Sequence, residues 1–215
     1  DKRVDSSVER NYEIACESLK KAPQDPRSYW LMGNALIMKR EHKKASEMFI
    51  KYIELSDSEE EKYLANMLLF EVLDDPKYAK EAWILRPTYP NSYLKLGEWF
   101  YKNKKYQEAL NFTELGLQMP IPDKEIIAYN PREYDLFPMI TLARIYFEMA
   151  RFEKAVAVID KLNKMFPNEE IVISLDKLIR EEMRECLDID KYLEEAQKIK
   201  DKSELRKFID NLPEK

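Results

Sequence analysis

Apolar and small residues recur along the chain with the period of an α-helix, and the same arrangement occurs three times. The first copy has the helix-spaced set Tyr29, Met32, Gly33 and Leu36, followed by Ala45 and Phe49. The later copies are Tyr93, Leu96, Gly97, Phe100 and Ala109, and then Leu142, Ala143, Tyr146, Ala155 and Ile159. The small residue precedes the alanine by twelve positions in each copy (33 to 45, 97 to 109, 143 to 155). This pattern predicts helix-turn-helix repeats in which small residues let two helices approach closely.

The segments beside these copies also predict helices. Residues 7–21 have an apolar face and read as the second helix of a repeat. Residues 59–72 follow a capping box, Ser58 with Glu61, and a short helix at 78–85 completes a degenerate second repeat. Beyond Pro167 we expect a capping helix at 169–186 and two further helices at 191–200 and 204–211. Asp190 would be the N-cap of the first of these two.

The spacing of large, small and alanine positions resembles the tetratricopeptide repeat (TPR) family over most of residues 8–168. The resemblance implies an all-α, right-handed α-solenoid of about four helix-turn-helix repeats, with C-terminal capping helices. We expect an array at 1–168 and capping or linker helices at 169–215. Gly97 and Ala143 are 46 residues apart, against a repeat of about 34 residues. The excess predicts an insert loop at residues 120–138.

Composition narrows the range of functions. Three glycines leave little material for phosphate-binding loops, and a net charge of -5 with intermixed signs argues against nucleic acid as a partner. No apolar run is long enough for a membrane span. Cys16 and Cys186 are far apart in sequence, so we expect reduced thiols in a cytoplasmic protein. Because the chain begins with Asp1, we also expect it to be a segment of a longer protein.

We find no catalytic constellation, metal site or cofactor motif in the sequence. His42 is the only histidine, and it lies in a predicted turn without a second ligand near it. Asp188 and Asp190 form an Asp-x-Asp triplet, but no strand pattern accompanies them, and a helix cap explains them better.

Candidate contacts with a partner lie in two places. The first helices of TPR pairs line a groove, and six residues at its expected positions are Trp30, Asn34, Lys95, Glu98, Arg144 and Phe147. The insert loop adds Tyr129, Arg132 and Tyr134. The alternative is that these residues serve packing between repeats, with Tyr134 and Phe137 filling the gap at the insert and Arg132 and Asp135 holding the loop.

A narrower resemblance concerns residues 126–135, which run into Pro138 and Met139. This stretch resembles the TPR region of bacterial and phage-type multidomain glycosyltransferases. The resemblance implies a non-catalytic scaffold segment joined covalently to sugar-transferring domains. The alternative is a free-standing TPR adaptor that binds a peptide or helix of a partner protein.

Overall fold

The computed structural model describes residues 2–121, 130–201, 204 and 206–207. Within these residues the secondary structure is helical and contains no strand. The α-helices with assigned bounds are α1 (Lys2–Lys21), α2 (Pro26–Met38), α3 (His42–Leu55), α4 (Glu59–Leu73), α5 (Pro76–Leu85), α6 (Pro90–Lys102), α7 (Tyr106–Gln118), α8 (Leu136–Glu148), α9 (Phe152–Met165) and α10 (Glu170–Lys198). A 3-10 turn at Pro131–Glu133 precedes α8. The predicted all-α fold of consecutive helix-turn-helix repeats is confirmed.

The chain divides into two compact units, Asp1–Thr141 and Leu142–Lys215, and the division falls within α8. The first unit holds α1 to α7, the 3-10 turn and the start of α8. The second holds the rest of α8, α9 and α10. The predicted division into an array at 1–168 and a tail at 169–215 stays a prediction.

The four helix pairs share two features that explain why they fold alike. Each has a fully buried alanine near the start of its second helix: Ala45, Ala79, Ala109 and Ala155, all 0% exposed. Five positions earlier, the turn residue is left-handed in each pair: Arg40, Asp74, Lys104 and Ala150, with φ between 52° and 59°. A methyl side chain lets the second helix lie close to its neighbours, and the left-handed residue reverses the chain tightly.

The predicted close approach of helices is confirmed at the glycines. A Cβ atom added to Gly97 would lie 2.3 Å from Thr113 Oγ1 and 3.1 Å from the Thr113 backbone nitrogen. At Gly33 an added Cβ would lie 2.8 Å from the ring of Phe49, which is itself fully buried. A side chain at Gly97 would require the backbone of Thr113 to move, and one at Gly33 would require the buried Phe49 ring to shift.

The second repeat departs from this arrangement as predicted. Its second helix, α5, has 10 residues, whereas α3, α7 and α9 have 14, 13 and 14. Asn66 takes the place of Gly33 and Gly97 and donates its Nδ2 to the Lys62 carbonyl at 2.9 Å. The predicted N-cap Ser58 accepts from the Glu61 backbone N–H at 3.3 Å. The repeat is therefore degenerate in sequence but folded as a helix pair.

In the second compact unit, the predicted break near Asp190 is wrong. Helix α10 runs from Glu170 to Lys198 without interruption. The span has no proline or glycine, and an aspartate inside a helix costs only about 0.5 kcal/mol more than a good helix former, so nothing ends the helix there. Val172 and Ile179 are fully buried, while Arg180 pairs with Asp160 and Asp176. Beyond α10, the Asp201 carboxylate accepts a hydrogen bond from the Glu204 backbone N–H at 3.0 Å.

Cys16 and Cys186 are both free thiols. None of the helices in the described part of the chain has the length and apolar character needed to cross a bilayer.

Candidate protein-binding cleft

A polar depression in the first compact unit lies between α4 and α6, and we call it the α4–α6 cleft. Its volume is about 340 Å³. Helix α6 lines it with Lys95, Glu98, Trp99 and Lys102, which lie on one face because they are three and four positions apart. The C-terminal end of α4 contributes the opposite wall, made of Phe70, Glu71 and Asp74.

Two ion pairs lie in the cleft, one between its two walls and one along α6. Lys95 Nζ lies 2.9 Å from Glu71 Oε1, and Lys102 Nζ lies 2.8 Å from Glu98 Oε1. Burial acts to lower the pKa of Lys95, but the carboxylates of Glu71, Glu98 and Glu133 outweigh it and raise the pKa above its ordinary value of 10.5. Lys95 is therefore held charged inside the cleft at neutral pH.

Asp74 leaves the cleft with a surplus negative charge. Its carboxylate has no hydrogen-bond or ion-pair partner among the residues that the structure describes, whereas both lysines of the cleft are paired. Three carboxylates thus face two ammonium groups. The site can accept one further cation without leaving a charge unbalanced.

The indole of Trp99 lines the same cleft as this carboxylate. Its Nε1 donates to the backbone carbonyl of Asp74 at 3.1 Å, and its ring meets the ring of Phe100 edge-on at a centroid distance of 5.3 Å. A cleft lined by an indole and a carboxylate is a favourable place for a Lys or Arg side chain, because the aromatic quadrupole and the anion both attract the cation.

The structure brings together two of the predicted site residues, Lys95 and Glu98. Trp30 instead packs on Phe49 and Tyr52, at centroid distances of 5.6 and 5.1 Å, and Asn34 donates to the Trp30 carbonyl at 2.8 Å. These contacts belong to the core of the first repeat. A role for Trp30 and Asn34 in partner binding stays a prediction.

The predicted loop contacts have structural roles where they can be described. Tyr134 is buried and donates its hydroxyl to Asn91 Oδ1 at 2.8 Å, which ties the end of the insert to α6. The guanidinium of Arg132 lies 5.7 Å from the centre of the Phe137 ring. Phe137 is 47% exposed, so about half of its side chain is covered, and its expected role in filling the gap stays a prediction. Tyr129 lies outside the described residues.

Two predicted contacts, Arg144 and Phe147, lie in the second compact unit. Both are half-buried on α8, and Phe147 packs edge-on against Phe152 at a centroid distance of 5.9 Å. Their proposed contact with a partner stays a prediction.

The sequence analysis missed Glu71, Asp74 and Trp99. A signal was available for Glu71, because α4 begins 33 residues after α2 (26 to 59). This offset matches Glu71 to Met38, which follows Trp30 and Asn34 at intervals of four on the expected groove face. The register of the second repeat was not assigned, because Asn66 replaces the expected small residue and precedes Ala79 by thirteen positions rather than twelve. In the described ranges, no group of three His, Cys, Asp or Glu residues is arranged to hold a metal ion.

Comparison with solved structures supports the TPR-like fold. The chain is similar to YrrB, a TPR protein with an unusual peptide-binding site, with a TM-score of 0.57, 19% identity and coverage of 80% of this chain and 84% of YrrB. It is also similar to the C-terminal part of a TPR repeat-containing protein from Cytophaga hutchinsonii, with a TM-score of 0.61, 14% identity and coverage of 83% and 69%. For yeast Tom70 the TM-score is 0.56 and the identity 17%, with coverage of 92% and 41%. The predicted TPR-like fold is confirmed.

Sequence comparison places the chain in a family of helical repeats of a related type. No curated protein matches the chain significantly by sequence. A family profile described as "Nucleoporin Nup120, HEAT repeats" matches residues 7–175. HEAT and TPR repeats are both stacked helix pairs, which reconciles the profile with the TPR-like fold. The chain belongs to the family of Nucleoporin Nup120 HEAT repeats.

Proposed function

We propose that this chain is a non-catalytic scaffold segment of a multiprotein assembly, and that its α4–α6 cleft binds a basic side chain of a partner protein. The observation that carries the proposal is that the unpaired Asp74 carboxylate and the indole of Trp99 line the same cleft, in the part of the chain that the structure describes. The nucleoporin named in the family description supports a role within an assembly. The peptide-binding site named for YrrB supports a peptide as one form of the partner.

The chemistry of the cleft favours arginine or lysine over other side chains. A partner carboxylate would meet Asp74 without a free cation to pair with, because Lys95 and Lys102 are engaged by Glu71 and Glu98. A neutral side chain would leave the surplus charge unchanged. A basic side chain neutralises it and can stack on the indole.

The test uses two short peptides, acetyl-Gly-Ser-Arg-Ser-Gly-amide and the same peptide with Gln in place of Arg. Each is titrated into the ¹⁵N-labelled 215-residue chain while the indole N–H signal of Trp99 is followed by NMR. That signal is assigned with a Trp99→Phe variant. We expect the Arg peptide to bind at least about fivefold more tightly, since one cation–π contact with an ion pair contributes about 1 kcal/mol.

The variant Asp74→Asn should remove this preference while keeping the backbone carbonyl that holds Trp99. Asp57→Asn, an exposed aspartate outside the cleft, is the matched control and should bind like wild type. Equal binding of the Arg and Gln peptides, or unchanged binding by Asp74→Asn, would refute the proposal.

The finer hypothesis of a scaffold in a multidomain glycosyltransferase stays a prediction. Of its motif at residues 126–135, residues 126–129 lie outside the part that the structure describes. The coding sequence on both sides of Asp1 and Lys215 tests it. An adjoining strand-rich nucleotide-binding domain would support the hypothesis, and its absence would favour the free-standing adaptor.

A further inference from the structure

The turn between α6 and α7 carries an unbalanced positive charge. It consists of Asn103, Lys104 and Lys105, which are all exposed, and we call it the lysine turn. Lys102, the last residue of α6, is neutralised by Glu98 at 2.8 Å. Lys104 and Lys105 form no ion pair within the residues that the structure describes, so their two charges are not neutralised by the chain.

The charge of the lysine turn differs from that of its counterparts in the first compact unit. Glu41 lies in the turn between α2 and α3, and Asp74 and Asp75 form the turn between α4 and α5. The lysine turn has no carboxylate, although the chain as a whole has a net charge of -5. A local surplus of cations therefore lies on the surface of an acidic chain.

Both lysines occupy positions where local preferences favour other residues. Lys104 has φ 58°, in the left-handed region that glycine and asparagine adopt more easily. Lys105 is the N-cap of α7 and makes no side-chain cap hydrogen bond, whereas serine, threonine, aspartate or asparagine would make one. Its charge also lies at the positive end of the α7 dipole. Backbone conformation and capping do not account for these lysines, and a role of their exposed side chains explains them better.

Hydrogen bonds hold the backbone of the lysine turn in one conformation. The backbone N–H groups of Lys104 and Lys105 donate to the carbonyls of Tyr101 and Phe100, both at 2.9 Å. The Lys105 carbonyl accepts from the Ala109 backbone N–H at 2.9 Å. The Lys105 ammonium lies 6.0 Å from the centre of the Phe100 ring. The two side chains thus extend from a fixed backbone, so a ligand does not have to order the turn when it binds.

The lysine turn adjoins the α4–α6 cleft. Lys102 lines the cleft, and Lys104 follows it by two residues, which span at most about 7 Å of chain. The cleft has a surplus negative charge at Asp74, and the turn has surplus positive charges at Lys104 and Lys105. Sites that attract opposite charges are therefore neighbours on one surface.

This arrangement selects a peptide with charges of both signs over a nucleic acid. A phosphate backbone repeats one negative charge, so beside the lysine turn it would meet the carboxylates of the cleft. An extended peptide advances about 3.3 Å per residue, so side chains two and three positions from a basic residue lie about 7–10 Å from it. We propose that the lysine turn binds the carboxylates of a partner peptide whose acidic residues lie two and three positions from the basic residue held by the α4–α6 cleft. This spacing rests on the proposed function, whereas the attraction of carboxylates to the turn does not.

The test compares three peptides by NMR of the ¹⁵N-labelled 215-residue chain. The first is acetyl-Glu-Glu-Ser-Arg-Ser-Glu-Glu-amide, which presents acidic residues in either chain direction. The second has Gln in place of every Glu, and the third has Gln in place of Arg. We expect the first to bind about threefold more tightly than the second at about 20 mM salt, and this difference to shrink at about 500 mM salt because exposed ion pairs are screened. The net charge of the chain opposes this preference, so a local basic site is needed to produce it.

Signals from the two sites separate this proposal from the proposed function. The third peptide lacks a basic residue, so it should shift the backbone amide signals of Lys104 and Lys105 and leave the indole signal of Trp99 unchanged. In the Asp74→Asn variant the first peptide should still shift both lysine signals. A cleft that does not bind arginine would therefore leave the shifts at the lysine turn intact.

Variants of the chain locate the binding. Lys104→Gln combined with Lys105→Gln should abolish the preference for the first peptide over the second, and the fold should persist because both side chains are exposed. Lys104→Arg combined with Lys105→Arg should retain the preference. Lys43→Gln combined with Lys80→Gln removes the same charge at two exposed lysines elsewhere in the first unit. This matched control should bind like wild type.

Three results would overturn the proposal. One is equal binding of the first and second peptides by the wild-type chain. Another is an equal loss of the preference in the control variant, since the overall charge of the chain would then explain the binding. The third is a short oligothymidylate that binds at the lysine signals more tightly than the first peptide does, because the ligand would then be a nucleic acid.

Discussion

The second and third repeats have the same two turn and core features but differ in how closely their helices approach. Both have a fully buried alanine, Ala79 or Ala109, and a left-handed residue five positions before it. In the third repeat, Gly97 brings α6 against the backbone of Thr113. In the second, Asn66 occupies the corresponding place and α5 is short. A helix pair thus folds when the buried alanine and the left-handed turn residue are present. The small residue of the first helix and the length of the second helix can vary, and this variation changes the surface that a partner can contact.

The α4–α6 cleft lies at the C-terminal end of α4, the first helix of the second repeat. Tight packing between helices leaves no room for a ligand, whereas a shortened helix exposes apolar side chains that a partner can cover. The comparison suggests exchanging features between the two repeats.

The largest effect is expected when the third repeat is given the residue of the second. Gly97→Asn places a side chain where a Cβ would already lie 2.3 Å from Thr113 Oγ1, so the helices must separate and the free energy of unfolding should fall by about 3 kcal/mol. The reverse change, Asn66→Gly, should lower it by only about 1 kcal/mol, of which helix propensity supplies about 0.3 kcal/mol and the lost side-chain hydrogen bond to Lys62 the rest. Urea unfolding followed by circular dichroism measures both.

Glu108→Asn, on the exposed side of α7, controls for the propensity of asparagine in a helix and should cost less than about 0.5 kcal/mol. A Gly97→Asn variant as stable as this control would show that the close approach in the third repeat is not required.

A smaller effect is expected at the left-handed turn residues. Lys104 has φ 58° and Asp74 has φ 52°. Lysine is strained in this region, so Lys104→Gly should raise the free energy of unfolding by about 1 kcal/mol. Aspartate tolerates the region better, and Asp74→Gly should change stability by less than about 0.5 kcal/mol. Thermal unfolding of the two variants compares the turns directly, and equal gains would contradict the expected difference.

The smallest effect concerns the ion pair of Lys95 with Glu71. The pKa of Lys95 in the folded chain is raised above 10.5, so its contribution to stability is present below pH 10.5 and is lost as the pH rises through the folded pKa. Because Lys95 is partly exposed, we expect Lys95→Met to lower stability by less than about 1 kcal/mol at neutral pH. The difference from wild type should shrink above pH 10.5.

Lys80→Met, at an exposed lysine of α5, is the control for this measurement and should show no such pH dependence. A difference between wild type and Lys95→Met that stays constant up to the alkaline limit of folding would argue against the ion pair.

Local patterns predicted the repeats because their requirements are local. The interval of twelve residues from Gly33 to Ala45, and its recurrence, follows from two helices and one tight turn of constant length. The second repeat escaped a full assignment because Asn66 is not small, although Ala79 marks its second helix. At Asp190 the local pattern predicted a helix break that does not exist. A residue that is common at helix caps does not end a helix when helix formers continue beyond it.

The sequence by itself determined the all-α fold, the helix pairs and the positions where they pack most closely, since all of these follow from residue size and spacing along the chain. Only the tertiary structure decided which polar residues share a site. Lys95 and Glu98 could be placed on one helix face from spacing, but Glu71, Asp74 and Trp99 join them through packing between helices of different repeats. Such contacts depend on how helices from different repeats pack in space, and the periodicity of residues along one helix does not predict this packing.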